Sequence, residues 1–158
     1  MMIYRFILPL FFFLFISCNN NEDLNNWKNA QNLYNNQDFN NCLVALHHIV
    51  NSSDNEDYIT KSLFLISEIY LNEFKNYDIT IEFLNKILWD YPDSELAKRS
   101  LFTKAYINSN YIQSYTIAQE LYNQFLSKYP EDDLVPSVKY ELDELNKHSD
   151  TIQKLLNK

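Results

Sequence analysis

The side chains through which this chain could do covalent, metal or acid–base chemistry are few: two cysteines, three histidines and scattered carboxylates. Cys18 is the most informative, because of what precedes it. A lone cation, Arg5, is followed by an apolar run over residues 6–16 and then by the small residue Ser17. That order is the anatomy of an export signal. The run is too short to cross a hydrocarbon core of about 30 Å as a helix, and Pro9 interrupts it. His47 and His48 are neighbours, so on a helix they point about 100° apart and do not readily face one metal. Cys42 stands at no zinc-ligand spacing from either of them. Glu141, Asp143 and Glu144 read as a solvated face. No carboxylate pair in an apolar surround and no Ser/His/Asp grouping has a spacing suited to catalysis. The chain has no glycine, which excludes glycine-rich phosphate loops, dinucleotide fingerprints and glycine-based nucleophile elbows. These residues predict a non-catalytic protein without metal, cofactor or small-molecule substrate.

Phe15-Ile16-Ser17-Cys18 resembles the lipobox of bacterial lipoproteins, with Phe15 where that family usually has Leu. The resemblance implies cleavage before Cys18 and acylation of that residue, palmitate being one such acyl group. An ordinary signal peptide cut nearby and an uncleaved anchor are the alternatives. Asn19, rather than Asp, at the next position fits outer-membrane sorting by the enterobacterial rule. The chain then divides into a lipoprotein signal peptide, 1–17, a short polar tether, 18–23, and a folded domain, 24–158. Hydrophobic residues make up 46% and aromatics 16%, enough for a packed core. Net charge is −8, and losing the signal removes a cation and no acid. Without a basic stripe, such a body repels nucleic acid and anionic lipid headgroups alike. Membrane contact would come from lipid at Cys18, each buried methylene contributing about 0.8 kcal/mol. Cys42 is then left without a disulfide partner.

The elements that position these residues repeat. A shift of 38 residues superposes Phe39, Tyr77 and Tyr115; Cys42, Thr80 and Ala118; Leu46, Leu84 and Tyr122; and Ile49, Ile87 and Phe125. Tyr91-Pro92 falls on Tyr129-Pro130 in the same register. Within each unit the apolar residues recur at steps of three and four, which gathers them on one helical face. A second periodic stretch precedes each of these: Leu24 to Tyr34, Leu63 to Leu71 and Leu101 to Tyr106. The pattern predicts helices near 23–35, 39–52, 55–73, 77–90, 93–109, 112–128 and 133–157. Pro92 and Pro130 stop the helices before them, and Ser53-Asp54-Asn55-Glu56 has capping-box spacing. With no glycine available, asparagine is expected to supply the helix ends and the left-handed turns. The fold class is all-α: three helix pairs stacked as an α-α superhelix, with a C-terminal helix capping the open end.

The units resemble tetratricopeptide repeats. A small residue in the first helix (Ala30, Ser67, Ala105) precedes an aromatic that opens the second (Phe39, Tyr77, Tyr115), and a small residue follows three positions later (Cys42, Thr80, Ala118). The spacing from small residue to aromatic is shorter by one in the first unit, and the unit exceeds the family's usual length. The endings Leu88-Trp89-Asp90-Tyr91-Pro92-Asp93-Ser94 and Leu126-Ser127-Lys128-Tyr129-Pro130-Glu131-Asp132 resemble those of BamD-like outer-membrane lipoproteins and, equally, the tail domain of the Tol-Pal coordinator CpoB/YbgF. This chain has three repeats where the BamD-like family usually has five. The resemblance implies a lipid-anchored interaction scaffold in the bacterial envelope, at the outer membrane with its repeats in the periplasm, supporting β-barrel protein assembly. Its partners would be envelope proteins or their peptide segments. The alternatives are a Tol-Pal or cell-division coordinator and a surface-exposed ligand-binding lipoprotein. In such solenoids the first helices line the concave, partner-binding face. By register that face should comprise Leu24, Trp27, Gln31 and Tyr34, then Lys61, Glu68 and Leu71, then Arg99, Tyr106 and Ser109.

Overall fold

The computed structural model describes the backbone of residues 19–156 and the side chains of residues 21–147; Cys18 and the segment before it lie outside them. The described residues form seven α-helices and no strand: α1 (Asn19–Asn35), α2 (Phe39–Ser52), α3 (Glu56–Asn72), α4 (Tyr77–Asp90), α5 (Glu95–Asn110), α6 (Tyr115–Lys128) and α7 (Val135–Leu156). Short connections fold each helix back on its predecessor, giving the hairpins α1–α2, α3–α4 and α5–α6. Each first helix also meets the first helix of the next hairpin, α1 on α3 and α3 on α5, and α5 meets α7. The backbones of the second helices, α2, α4 and α6, stand farther apart, and α2 meets α4 through side chains, His47 on Phe83. First helices whose backbones meet while those of the second helices are spaced more widely make an α-α superhelix with α1, α3 and α5 on its inner curve. None of these helices is long and apolar enough to cross a membrane.

The repeat is visible in the backbone. Among the described residues, three have positive φ: Gln37 (60°), Lys75 (53°) and Gln113 (60°). They hold the same position in successive hairpins, just past the end of each first helix. Asparagine is not the occupant of these turns, contrary to expectation; it stands at helix ends, as the N-caps Asn76 and Asn55, where its side-chain oxygen accepts an N–H that the helix leaves unpaired. In the second and third hairpins the turn closes through Asn76 N–H donating to the Tyr70 carbonyl and Ser114 N–H to Asn108, each six residues back. In the first, Asp38 N–H donates to Leu33, five residues back. That single residue is the shorter spacing seen in the sequence.

The unit boundaries follow local chemistry. Tyr91 (φ −134°, ψ 53°) and Tyr129 (φ −131°, ψ 59°) leave the helical region before their prolines in nearly identical geometry. Ser94 caps α5, its hydroxyl accepting from Ala97 N–H at 3.2 Å. The capping box expected at Ser53–Glu56 does not form. Ser53 Oγ accepts from Asn55 N–H at 3.0 Å, and Asn55 itself becomes the N-cap, accepting from Asp57 N–H at 3.0 Å. Two other boundaries differ from expectation. The run 19–23, expected as tether, is the first part of α1: it holds neither proline nor glycine, so the helix anchored by Trp27 and Ala30 extends back through it. Helix α6 begins at Tyr115 rather than 112, because Gln113 takes the left-handed turn conformation.

The core sits between the helix layers in two clusters. The first joins α1 to α5 through Leu46, Ile49, Leu63, Ile66, Leu84 and Ile87; the second joins α5, α6 and α7 through Leu101, Tyr122, Phe125, Val138 and Leu145. The small residues at the repeat positions are all buried: Ala30, Ser67 and Ala105 on first helices, Cys42, Thr80 and Ala118 on second ones. Their size lets paired helices close together; Cys42 Sγ reaches the Ala30 carbonyl at 3.3 Å. Each fully buried leucine or isoleucine in these layers contributes about 1.5–3 kcal/mol. Between hairpins, Lys104 Nζ donates to Asn85 Oδ1 at 2.8 Å, and Lys98 bridges the start of α5 to Asp132 in the α6–α7 connection at 2.9 Å.

Candidate docking groove

The inner helices enclose an open groove of about 1130 Å³. It crosses three repeats obliquely: the C-terminal half of α1, the first three turns of α3 and the first turn of α5 form its walls. This volume exceeds the range of about 300–1,000 Å³ typical of small-molecule pockets, so it suits a length of polypeptide. From α1 come Trp27, Gln31 and Tyr34; from α3, Lys61, Phe64, Leu65 and Glu68; from α5, Leu96 and Arg99. Trp27 and Tyr34 are half-buried, their bodies packed on the first core cluster, so they offer ring surface already held in place. Tyr34 is braced edge-on by Phe39 at 5.8 Å between ring centroids.

Charges in the groove are unevenly committed. Lys61 is tied to Asp57 at 2.6 Å one helical turn away. Arg99 lies over the Phe64 ring, 5.4 Å from its centroid, a cation–π contact. Glu68 is half-buried and makes no hydrogen bond or ion pair among the described residues. Burial raises its pKa above the ordinary carboxylate value, and attraction to Arg99 counteracts this only in part. Burial also raises the pKa of the Tyr34 hydroxyl, with the Glu68 charge adding to the effect.

Of the residues expected on the concave face, Trp27, Gln31, Tyr34, Lys61, Glu68 and Arg99 line this groove. Leu24, Leu71, Tyr106 and Ser109 do not. Leu71, in the last turn of α3, packs against the first core cluster. Tyr106 turns into an aromatic group with Phe102 (6.4 Å) and Tyr111 (6.1 Å). Ser109 is only 8% exposed. The expectation took the concave face straight across the repeats; the groove instead advances toward the N-termini of successive inner helices. Sequence reasoning missed Glu56, Asp57 and Glu95 at those N-terminal turns, together with Phe64 beneath Arg99. The 38-residue shift carries Asp57 onto Glu95, and that was the signal available.

The other candidate chemical groups occupy structural positions. Cys42 is fully buried, and burial pushes its thiol up to about 11. His47 packs on Phe83 at 5.6 Å, and burial followed by the Lys86 charge lowers its pKa. His48 sits within hydrogen-bond distance of Ser52 Oγ, 3.2 Å from Nδ1.

Helical hairpins stacked in one register, with their inner helices around an open groove, define a repeat scaffold of the kind that docks other proteins. Residues 61–94 match the tetratricopeptide repeat family, so the chain contains such a repeat and a protein-interaction role goes with it. The matched stretch runs from the groove residue Lys61 through the left-handed turn at Lys75 and the Tyr91-Pro92 corner to Ser94. The same stretch moved by one repeat length covers 23–56 and 99–132, which fold alike. No curated protein matches the chain.

Proposed function

We propose that this protein is a lipid-anchored docking scaffold of the bacterial envelope, held at the outer membrane through Cys18, whose groove captures a segment of an envelope protein. Support of β-barrel assembly is the role that its repeat endings favour. The observation that carries the reading is the groove itself: ring surfaces and charged side chains from three consecutive repeats face one channel wide enough for a peptide. Aromatic and arginine side chains are the usual energetic centres of such contacts, and here Trp27, Tyr34 and Arg99 supply them.

The test is affinity purification of the full-length chain from cross-linked membranes, with mass spectrometry of what accompanies it. A barrel-assembly protein should co-purify with the native chain and be lost from a Trp27→Ala/Arg99→Ala variant of unchanged circular dichroism. Retention of the same partner by that variant refutes the groove as the docking site; Tol-Pal proteins in its place refute the barrel-assembly role. Cys18→Ala should move the protein from the membrane to the soluble fraction, and undiminished membrane association refutes the anchor.

A further inference from the structure

We propose that the segment docked in this groove carries a basic side chain, lysine or arginine, that seats its cation against the Glu68 carboxylate along the aromatic wall made by Trp27 and Tyr34. The inference rests on the docking reading above and adds the chemistry of the occupant. It starts from which charges are already satisfied. Asp57 is held by Lys61 at 2.6 Å, and Glu95 is held by Lys98 at 2.7 Å. Glu68 has no such partner among the described residues; Glu56, which has none there either, is exposed to water. Arg99, whose charge acts on it, is laid over Phe64 and forms no ion pair with it.

Position then decides which sign the groove selects. Arg99 and Lys28 stand on exposed positions, where water already solvates the charge and an ion pair contributes little, so Arg99 serves an occupant through the planar face and stem it lays over Phe64 rather than as the partner of an anion. Glu68 is half-buried, so an occupant that covers it removes its remaining water. A covered carboxylate must be paired, or the complex carries an uncompensated charge. A lysine or arginine meets this requirement with its head group, while its aliphatic stem lies on the half-buried Trp27 and Tyr34 rings. An acidic side chain at the same place would meet like charge, in a protein whose net charge is already −8.

The experiment is selection of random nonapeptides displayed on phage against the full-length chain, against Glu68→Gln and against Glu68→Lys, all checked for unchanged circular dichroism. Peptides selected on the native chain should share lysine or arginine at one position and should bind Glu68→Gln roughly tenfold more weakly, the effect of one charge-assisted hydrogen bond. On Glu68→Lys the shared residue should become aspartate or glutamate. Peptides that compete for the groove, being lost with Trp27→Ala, yet lack a common basic residue or bind Glu68→Gln equally well, overturn the inference and leave the docking reading intact. No selected peptide on the native chain overturns the docking reading itself.

Discussion

Replacing Lys75 with glycine should stabilise the protein, although it removes a side chain and touches no core contact. Lys75 sits at φ 53°, and its counterparts Gln37 and Gln113 at 60°. In that region the β-carbon crowds the following carbonyl, which costs about 1–2 kcal/mol for an L-residue. Glycine avoids the clash but loses more backbone freedom on folding, which offsets about 0.5–1 kcal/mol. The net gain is about 0.5–1 kcal/mol per turn. The three substituted positions lie in separate hairpins, and the Tyr77–Tyr111 stack that joins two of the turns at 4.9 Å is left in place, so their effects should add to about 1.5–3 kcal/mol. For a domain of this size each kcal/mol raises Tm by about 2–4 °C, so the triple variant should melt roughly 3–12 °C higher. Thermal and urea unfolding followed by circular dichroism measure this directly. Lys75→Ala is the control: it deletes the charge and the aliphatic stem but keeps the β-carbon. If alanine stabilises as much as glycine, or if glycine destabilises, the left-handed strain is not the controlling quantity and the reasoning fails.

Other expectations concern buried and charged groups. The Tyr122 ring is fully buried and its hydroxyl has no hydrogen-bond partner among the described residues; Tyr122→Phe should therefore raise stability by about 1 kcal/mol, read from urea midpoints, and a loss of that size would show that the hydroxyl is satisfied in solution. Asp132 accepts from Leu134 N–H and pairs with Lys98, so its folded pKa lies below the unfolded value. Its stabilisation is present above the unfolded pKa of about 3.9 and vanishes as pH falls through the folded one, so Asp132→Asn should be less stable than the native chain at neutral pH and equal to it in strong acid. Glu68 has the opposite sign: its folded pKa is raised, so ionisation destabilises the fold as pH climbs past the unfolded value of about 4.3. Glu68→Gln should then unfold at higher urea than the native chain at neutral pH, the two curves converging below about pH 4, and a variant less stable at neutral pH would contradict the unpaired geometry.

Much of the architecture could be read from residue spacing, because every unit obeys the same packing constraint. Phe39, Tyr77 and Tyr115, superposed by the 38-residue shift, are the first residues of α2, α4 and α6. Cys42, Thr80 and Ala118, picked out for their size, are all fully buried. Errors fell where periodicity carries no information. Polar residues 19–23 have no apolar face to reveal a helix, and Ile112 resembles a helix start until the left-handed backbone at Gln113 is known. The site was half legible for a related reason. Register tells which helix faces inward, so Trp27, Lys61 and Arg99 were reachable. It does not tell how far each inner helix slides along its neighbour, which is why Tyr106 and Ser109 were placed in a channel that had already turned away from them.

The partition of the core into two clusters gives the molecule unequal halves. Every wall of the groove rests on α1, α3 and the opening turn of α5, while α6 and α7 pack on the far side of α5. Loosening the C-terminal end should leave recognition largely untouched. Fraying of the leading hairpin, by contrast, would take Trp27 and Tyr34 away together and erase the channel. A segment held in the groove would therefore act as a splint across the N-terminal end, so that its binding and the rigidity of the first hairpin become two readings of one equilibrium.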